Sequence, residues 1–237
     1  MKNSVIHRAN TRGNANHGWL NAWHSFSFAN WYNPERVHFG ALRVLNDDTI
    51  AAGMGFGTHP HDNMEIITIP LEGDLAHKDS MGNAATIKTG DVQVMSAGTG
   101  IRHSEFNPNP DQQTKLFQIW LFPNKQNVTP RYQQITLDQS LQKNNFAQIL
   151  SPNPEDEGVW IHQDAWFYLS DFDQDFSKKL DLKKEGNGFY IMTIEGEIEV
   201  NGENLSKRDA IGVWNTATLE IKATTAAKFL VMEIPME

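Results

Sequence analysis

Two pairs of side chains in the first half of the chain have the types and spacing of metal ligands. His59 and His61 flank Pro60, and His103 and Glu105 flank Ser104. In an extended strand, residues i and i+2 point to the same face, so each pair projects side by side. One strand then offers two imidazoles and the other an imidazole and a carboxylate. If the two strands are neighbours inside a barrel, the four groups converge on a point at bonding distances of roughly 2.0–2.2 Å. Three neutral imidazoles and one carboxylate leave a divalent ion with a net positive charge, and an ion preferring six ligands keeps open positions of the kind catalysis needs. This donor set suits iron, nickel, zinc, copper or manganese without choosing among them. A chance grouping of polar residues near turns explains one such pair; it explains two like-spaced pairs beside glycine turns poorly. Proline is confined to strand edges and beginnings, which places Pro60 at the barrel mouth.

The composition narrows the chemistry further. The chain has no cysteine, so disulfides, thiolate zinc sites, iron–sulfur clusters and thiol catalysis are excluded. A net charge of −9 works against neutralising phosphates over a broad surface, and no direct nucleic-acid binding is expected. No apolar run is long enough for a bilayer and the first residues lack a signal-peptide core, so no membrane association and a cytoplasmic location are expected. Hydrophobic residues make up 39% and charged residues 21% of the 237, the balance of an ordinary globular protein.

The elements that must position the ligands read as strands. Gly40 to Leu45, Glu65 to Leu71, Val92 to Met95 and Leu116 to Phe122 are short, rich in β-branched and aromatic residues, and punctuated by Gly, Asn, Pro and Asp. Helical periodicity is nearly absent; the best candidate is about two turns over Thr136–Gln142, with Thr136 as cap. A polar segment with Pro123, Pro130, Pro152 and Pro154 divides the chain, predicting domains at 1–140 and 141–237. A faint echo links the halves: strand–turn–strand around Glu72-Gly73 and Glu195-Gly196, then Thr89-Gly90-Asp91 and Lys207-Arg208-Asp209.

Gly53 followed by His59-Pro60-His61, Glu65 and Gly73 resembles the first cupin motif, and Gly90 with Gly100 to Asn107 resembles the second. More narrowly, His24-Ser25-Phe26-Ser27-Phe28, His77-Lys78-Asp79-Ser80 and above all Met95 to Glu105 are similar to pirins. The resemblance covers most of residues 17–135 and is weak beyond residue 150. It implies an all-β fold of two cupin, jelly-roll-like barrels in tandem with few short helices. It also implies that the N-terminal barrel alone holds a metal, usually iron as Fe(II), through His59, His61, His103 and Glu105. The intervals Glu65 to Gly73 and Gly90 to His103 are longer than in the general cupin pattern, by one and two residues. Ordinary cupins use a glutamate at the place of Glu65 as ligand, whereas pirins use the one matching Glu105. Strand parity puts Glu65 on the ligand side, where it is expected to orient an imidazole.

The remaining candidates each carry an ordinary reading. His77 either lines the pocket or donates to a loop carbonyl. His7, His17, His24, His38 and His162 lack a similarly spaced partner and default to surface or loop. Trp19, Trp23, Phe26 and Phe28 are either core or an aromatic wall for a planar substrate. Aligning the Glu-Gly turns sets Leu182 and Lys184 opposite His59 and His61, leaving the second barrel without ligands. Some pirins degrade the flavonol quercetin with dioxygen, and animal members act as transcription cofactors. The resemblance thus implies a quercetin 2,3-dioxygenase-like enzyme with a small phenolic substrate and Glu105 as proton acceptor. The alternative is a non-enzymatic, metal-binding regulatory or sensory protein with a protein partner.

Overall fold

The structure is a computed structural model that describes residues 3–236. Two barrels each pair a seven-stranded with a four-stranded antiparallel-rich sheet. In the first, the large sheet runs in the order Arg131–Thr136, Asp91–Ser96, Glu65–Glu72, Thr114–Leu121, Leu42–Ile50, Leu20–His24, Gly13–Asn16. Its small sheet is Gly55–His61, Ile101–Phe106, Leu75–Asp79, Ala84–Ile87. The second barrel repeats the central order: Ala210–Val213, Asn187–Glu195, Ala227–Pro235 and Trp166–Phe172, over a small sheet of Ser177–Asp181, Thr218–Ala223, Ile198–Val200 and Glu203–Leu205. The expected all-β tandem of cupin barrels is the fold observed.

Burial follows strand parity. Leu20–His24 alternates buried and half-buried residues, as a strand with one wet face must. Glu65–Glu72, central in its sheet, is buried from Glu65 to Pro70 on both faces. One face lines the interior of the first barrel; the other, with Ile67, Ile69, Phe117 and Ile119, packs against Leu150, Phe167, Tyr190 and Met192 of the second. The two large sheets therefore share one apolar core. Each fully buried Leu, Ile or Phe there contributes on the order of 2 kcal/mol.

Two features tie the halves together. Ser4–His7 departs from the division expected at residue 140, because it pairs with Ala210–Val213 at the edge of the second barrel's large sheet. His7 Nδ1 meets Tyr190 Oη at 2.9 Å in the shared core. The echo seen in the sequence is also physical. Asp91 and Asp209 each close the same turn, accepting from Lys88 N at 2.9 Å and Ser206 N at 3.1 Å. Before them stand Gly90 at φ 97 and Arg208 at φ 67, a conformation easy for glycine and strained for arginine. Arg208 is held there by Ile194 O at 2.8 Å, by Asp47 Oδ2 of the first barrel at 3.0 Å and by the Phe117 ring.

The helix expected over Thr136–Gln142 is not formed. Thr136 ends a strand whose ladder with Asp91–Ser96 takes its backbone bonds, leaving one 3₁₀ turn, Gln139–Gln142, capped by Asp138 through Ser140 N. No helix among the described residues is long and apolar enough to cross a membrane.

Candidate metal centre

His59 and His61 come from an edge strand, Gly55–His61, that pairs with Ile101–Phe106 in the register His59↔His103, Pro60↔Arg102, His61↔Ile101. The edge position tolerates Pro60, which is exposed. Between His103 and Glu105 the register shifts, and Glu105 stands opposite Phe56 in place of Gly57. Such a bulge re-aims side chains. Here Phe56 joins His59 and His61 in lining the cavity, and the Gly57 carbonyl accepts from His59 Nδ1 at 2.8 Å. That bond orients the ring and leaves Nε2 as its available ligand atom. Close strand approach depends on Gly55, where a Cβ would lie 2.3 Å from Glu105 O. The turn before His103 depends on Gly98 at φ 49, where a Cβ would lie 2.0 Å from Val128 O.

The ligand atoms of His59, His61 and His103 lie within 4.8 Å of one another, and those of His77, His103 and Glu105 form a second such trio. His103 belongs to both. Its two ring nitrogens are buried with no hydrogen-bond partner, a condition native proteins rarely leave unanswered. Burial, then the neighbouring His59, His61 and His77, hold the His103 pKa down to about 3; burial, then His59, hold His61 down to about 4. Both rings are therefore neutral near pH 7, the state in which imidazole binds metal. Orphaned nitrogens, neutral rings and a carboxylate beside them fit a divalent transition ion.

Glu105 is buried and anchored. Gln118 Nε2 donates to its Oε1 at 3.0 Å and Oε2 at 3.2 Å, and Thr68 Oγ1 donates to Gln118 Oε1 at 3.3 Å. Burial lifts the Glu105 pKa to about 7 against the opposing pull of Gln118 and Thr68. Gln118 belongs to a row of polar side chains crossing the large sheet at one register: His24, Asn46, Gln118, Thr68 and Gln93. Asn46 lies in the polar run Asn46 to Thr49 and Gln118 is a single polar residue between Phe117 and Ile119, so neither strand alone marks this row.

The four expected ligands and three members of this polar row, His24, Asn46 and Gln118, line one cavity of about 490 Å³, a size suited to a small organic ligand. Of the proposed aromatic wall, Trp19 and Phe28 line it, joined by Phe56 and Trp120. The Trp120 and His61 rings meet edge to face, their centres 4.9 Å apart. Phe26 is packed against Tyr190 in the core, and Trp23 lies under Arg12.

Several expectations are corrected. Glu65 does not orient a ligand imidazole: the chain switches sheets between His61 and Glu65, which breaks the parity, and Glu65 instead accepts from Ser96 Oγ at 2.7 Å. His77 Nε2 meets no loop carbonyl but Asp79 Oδ2 at 3.2 Å, with the ring beside His103. His7 and His24 are buried, each satisfied through Nδ1 by a core partner, Tyr190 or Asn46; His17 and His38 are exposed, His17 at the cavity rim. In the second barrel the counterpart of Gly55–His61 is Ser177–Asp181, so Leu182 and Lys184 fall beyond its end. Leu180, Leu219 and Ile221 fill that interior, and no His or carboxylate trio is found there among the described residues.

Comparison with known proteins agrees with this arrangement. Residues 5–121 match the family model Pirin, and residues 148–234 match the Quercetinase C-terminal cupin domain. The quercetin 2,3-dioxygenase of Escherichia coli K12 is 43% identical over 230 residues, covering 97% of this chain and 98% of that one. A pirin-like protein of Caulobacter vibrioides is 38% identical over 222 residues, covering 93% and 95%. The crystal structure of a bacterial pirin from Escherichia coli in complex with nickel(II) superposes with a TM-score of 0.93 at 40% identity, covering 99% of this chain and 100% of that one. Two barrels of this topology, matched along nearly their whole length, place the chain in the pirin family of bicupins.

Proposed function

We propose that this protein is a metal-dependent dioxygenase that opens the heterocyclic ring of quercetin or a related flavonol at the N-terminal barrel. His59, His61, His103 and Glu105 would hold one divalent ion, iron(II) by family resemblance, with nickel(II) seen in a relative. The observation that carries the reading is His103, buried with both nitrogens unpartnered, beside two further imidazoles at the end of an aromatic cavity.

Bound there, the ion would supply Lewis acidity that favours the ionised form of a flavonol's hydroxyl. The chain's own residues do the rest. Trp19, Phe28 and Trp120 receive the planar rings and exclude water. Glu105, its carboxylate held by Gln118, would loosen from the ion to take the 3-hydroxyl proton. Proton loss makes the ring electron-rich enough for attack by dioxygen, and the products are a ring-opened ester and carbon monoxide.

The test is a metal-by-substrate assay. Protein loaded in turn with iron, nickel, manganese, zinc or copper is mixed aerobically with quercetin, and carbon monoxide is measured. We expect release with at least one metal and a rate at least tenfold lower for Glu105→Gln, in line with the usual contribution of general bases. Absence of turnover with every metal would refute the enzyme reading and favour a regulatory metal protein.

A further inference from the structure

His24, Asn46 and Asp48 line the same cavity, and nothing in the reaction above uses them. His24 and Asn46 are directly opposed across neighbouring strands, and His24 Nδ1 meets Asn46 Oδ1 at 2.8 Å. With Nδ1–H donating to that oxygen, Nε2 keeps its lone pair, and it is buried with no partner. Leu20 and Ala22, which share the face of His24 along its strand, also line the cavity. Asp48 stands two residues from Asn46, on the same face, with Oδ1 buried and likewise unpartnered. Exposure is 2% for His24 and 5% for Asp48. Unpartnered buried polar atoms are rare in native folds because they forgo the hydrogen bonds water offered the unfolded chain. Two of them on one wall of a ligand-sized cavity are the complement of a molecule that brings hydroxyl groups to that wall.

We infer that His24 and Asp48 form a hydroxyl-binding subsite that selects polyhydroxylated aromatic rings over rings bearing only the chelating oxygen pair. The inference rests on the flavonol reading and specifies its substrate class. Burial holds the His24 pKa below its ordinary value, and burial, followed by Asp47 and Glu105, lifts Asp48 to about 8. His24 Nε2 therefore accepts a hydroxyl hydrogen, while the neutral Asp48 carboxyl can both donate and accept. Trp19, Phe28 and Trp120 cover the aromatic surface of a ligand held between this wall and the histidines.

The test compares quercetin with 3-hydroxyflavone, which keeps the 3-hydroxyl and 4-carbonyl but lacks the other hydroxyls. Binding to the iron-loaded protein is followed without oxygen by quenching of tryptophan fluorescence, in wild type, His24→Phe, Asp48→Leu and the shape-conserving Asp48→Asn. Wild type should prefer quercetin by about tenfold or more, the value of one or two hydrogen bonds to buried partners. His24→Phe and Asp48→Leu should bring the ratio to within about twofold of unity by weakening quercetin alone, and Asp48→Asn, which keeps a donor and an acceptor, should fall between. A ratio near unity in wild type, or one unchanged in Asp48→Asn and in whichever larger replacements stay folded by near-ultraviolet circular dichroism, overturns the subsite. Normal preference without aerobic turnover would sink the dioxygenase reading and leave the subsite standing; turnover with an unchanged ratio would do the reverse.

Discussion

Replacing Gln118 with Leu removes the amide that holds Glu105 while nearly conserving volume. Gln118 Nε2 reaches both carboxylate oxygens, at 3.0 and 3.2 Å, and these bonds oppose the burial that has already raised Glu105 to about 7. A hydrogen bond to a charged group is worth about 1.5–3 kcal/mol, so without it the Glu105 pKa rises further. Metal must then displace a proton that wild type has half lost at pH 7. The expected result is about 10–100-fold weaker metal binding at pH 7, the usual range for loss of a ligand's supporting partner. The sign with pH is distinctive: as pH rises through the new pKa the proton leaves unaided, so the deficit should shrink by pH 8.5. Competition against a calibrated chelator at both pH values measures this. Thr68 Oγ1 loses its acceptor, so a stability loss of about 1–2 kcal/mol is expected as well, and folding must be checked by circular dichroism. Affinity within twofold of wild type at pH 7, or a deficit equal at both pH values in a folded protein, would refute the anchoring role.

Replacing His59 and His61 together with Ala should abolish stoichiometric metal; full retention in elemental analysis would sink the ligand assignment. Gly98→Ala should cost more than about 2 kcal/mol in urea unfolding, since it adds strain at φ 49 and a Cβ at 2.0 Å from Val128 O. Arg208→Gly should be less damaging than Arg208→Ala by about 1 kcal/mol, because both lose the Asp47 pair and only glycine relieves the backbone at φ 67; equal losses would show that the backbone there is unstrained. Asp48 is an acid whose folded pKa, about 8, lies above the ordinary 3.8, so the stability it contributes is full below pH 3.8 and lost as pH rises through 8. Metal-free protein should therefore become easier to unfold as pH rises from about 4 to about 8, and Asp48→Asn, which cannot ionise, should reduce that slope.

That His59, His61 and His103 come together, with Glu105 beside His103, was legible because i, i+2 spacing in a strand has one geometric meaning, and the barrels were legible from strand runs and family motifs. Glu65 was misread for a definite reason: parity holds only along one unbroken strand, and the chain changes sheet between His61 and Glu65. The bulge that turns Phe56 inward leaves no mark beyond glycines at 55 and 57, which are also what an ordinary turn contains. His24, Asn46 and Gln118 were invisible for another reason. They lie on separate strands, and only the register of the finished sheet lines them up beside Glu105. Nothing near His7 in the sequence signals its burial, because its partner, Tyr190, belongs to the other barrel.

The strap formed by Ser4–His7 bears on how the protein is made. On the ribosome the residues of the metal-binding barrel emerge before the strand partner of this strap exists, and His7 waits 183 residues for Tyr190. Until then the apolar outer face of the first large sheet, later covered by Leu150, Phe167 and Met192, has nothing to cover it. The first barrel thus passes through synthesis as a sticky intermediate whose final closure is delayed until the last strands arrive. A gene fragment ending near residue 140 would keep the histidines and yet yield a chain that aggregates, with a dangling strand at one end and half a core exposed.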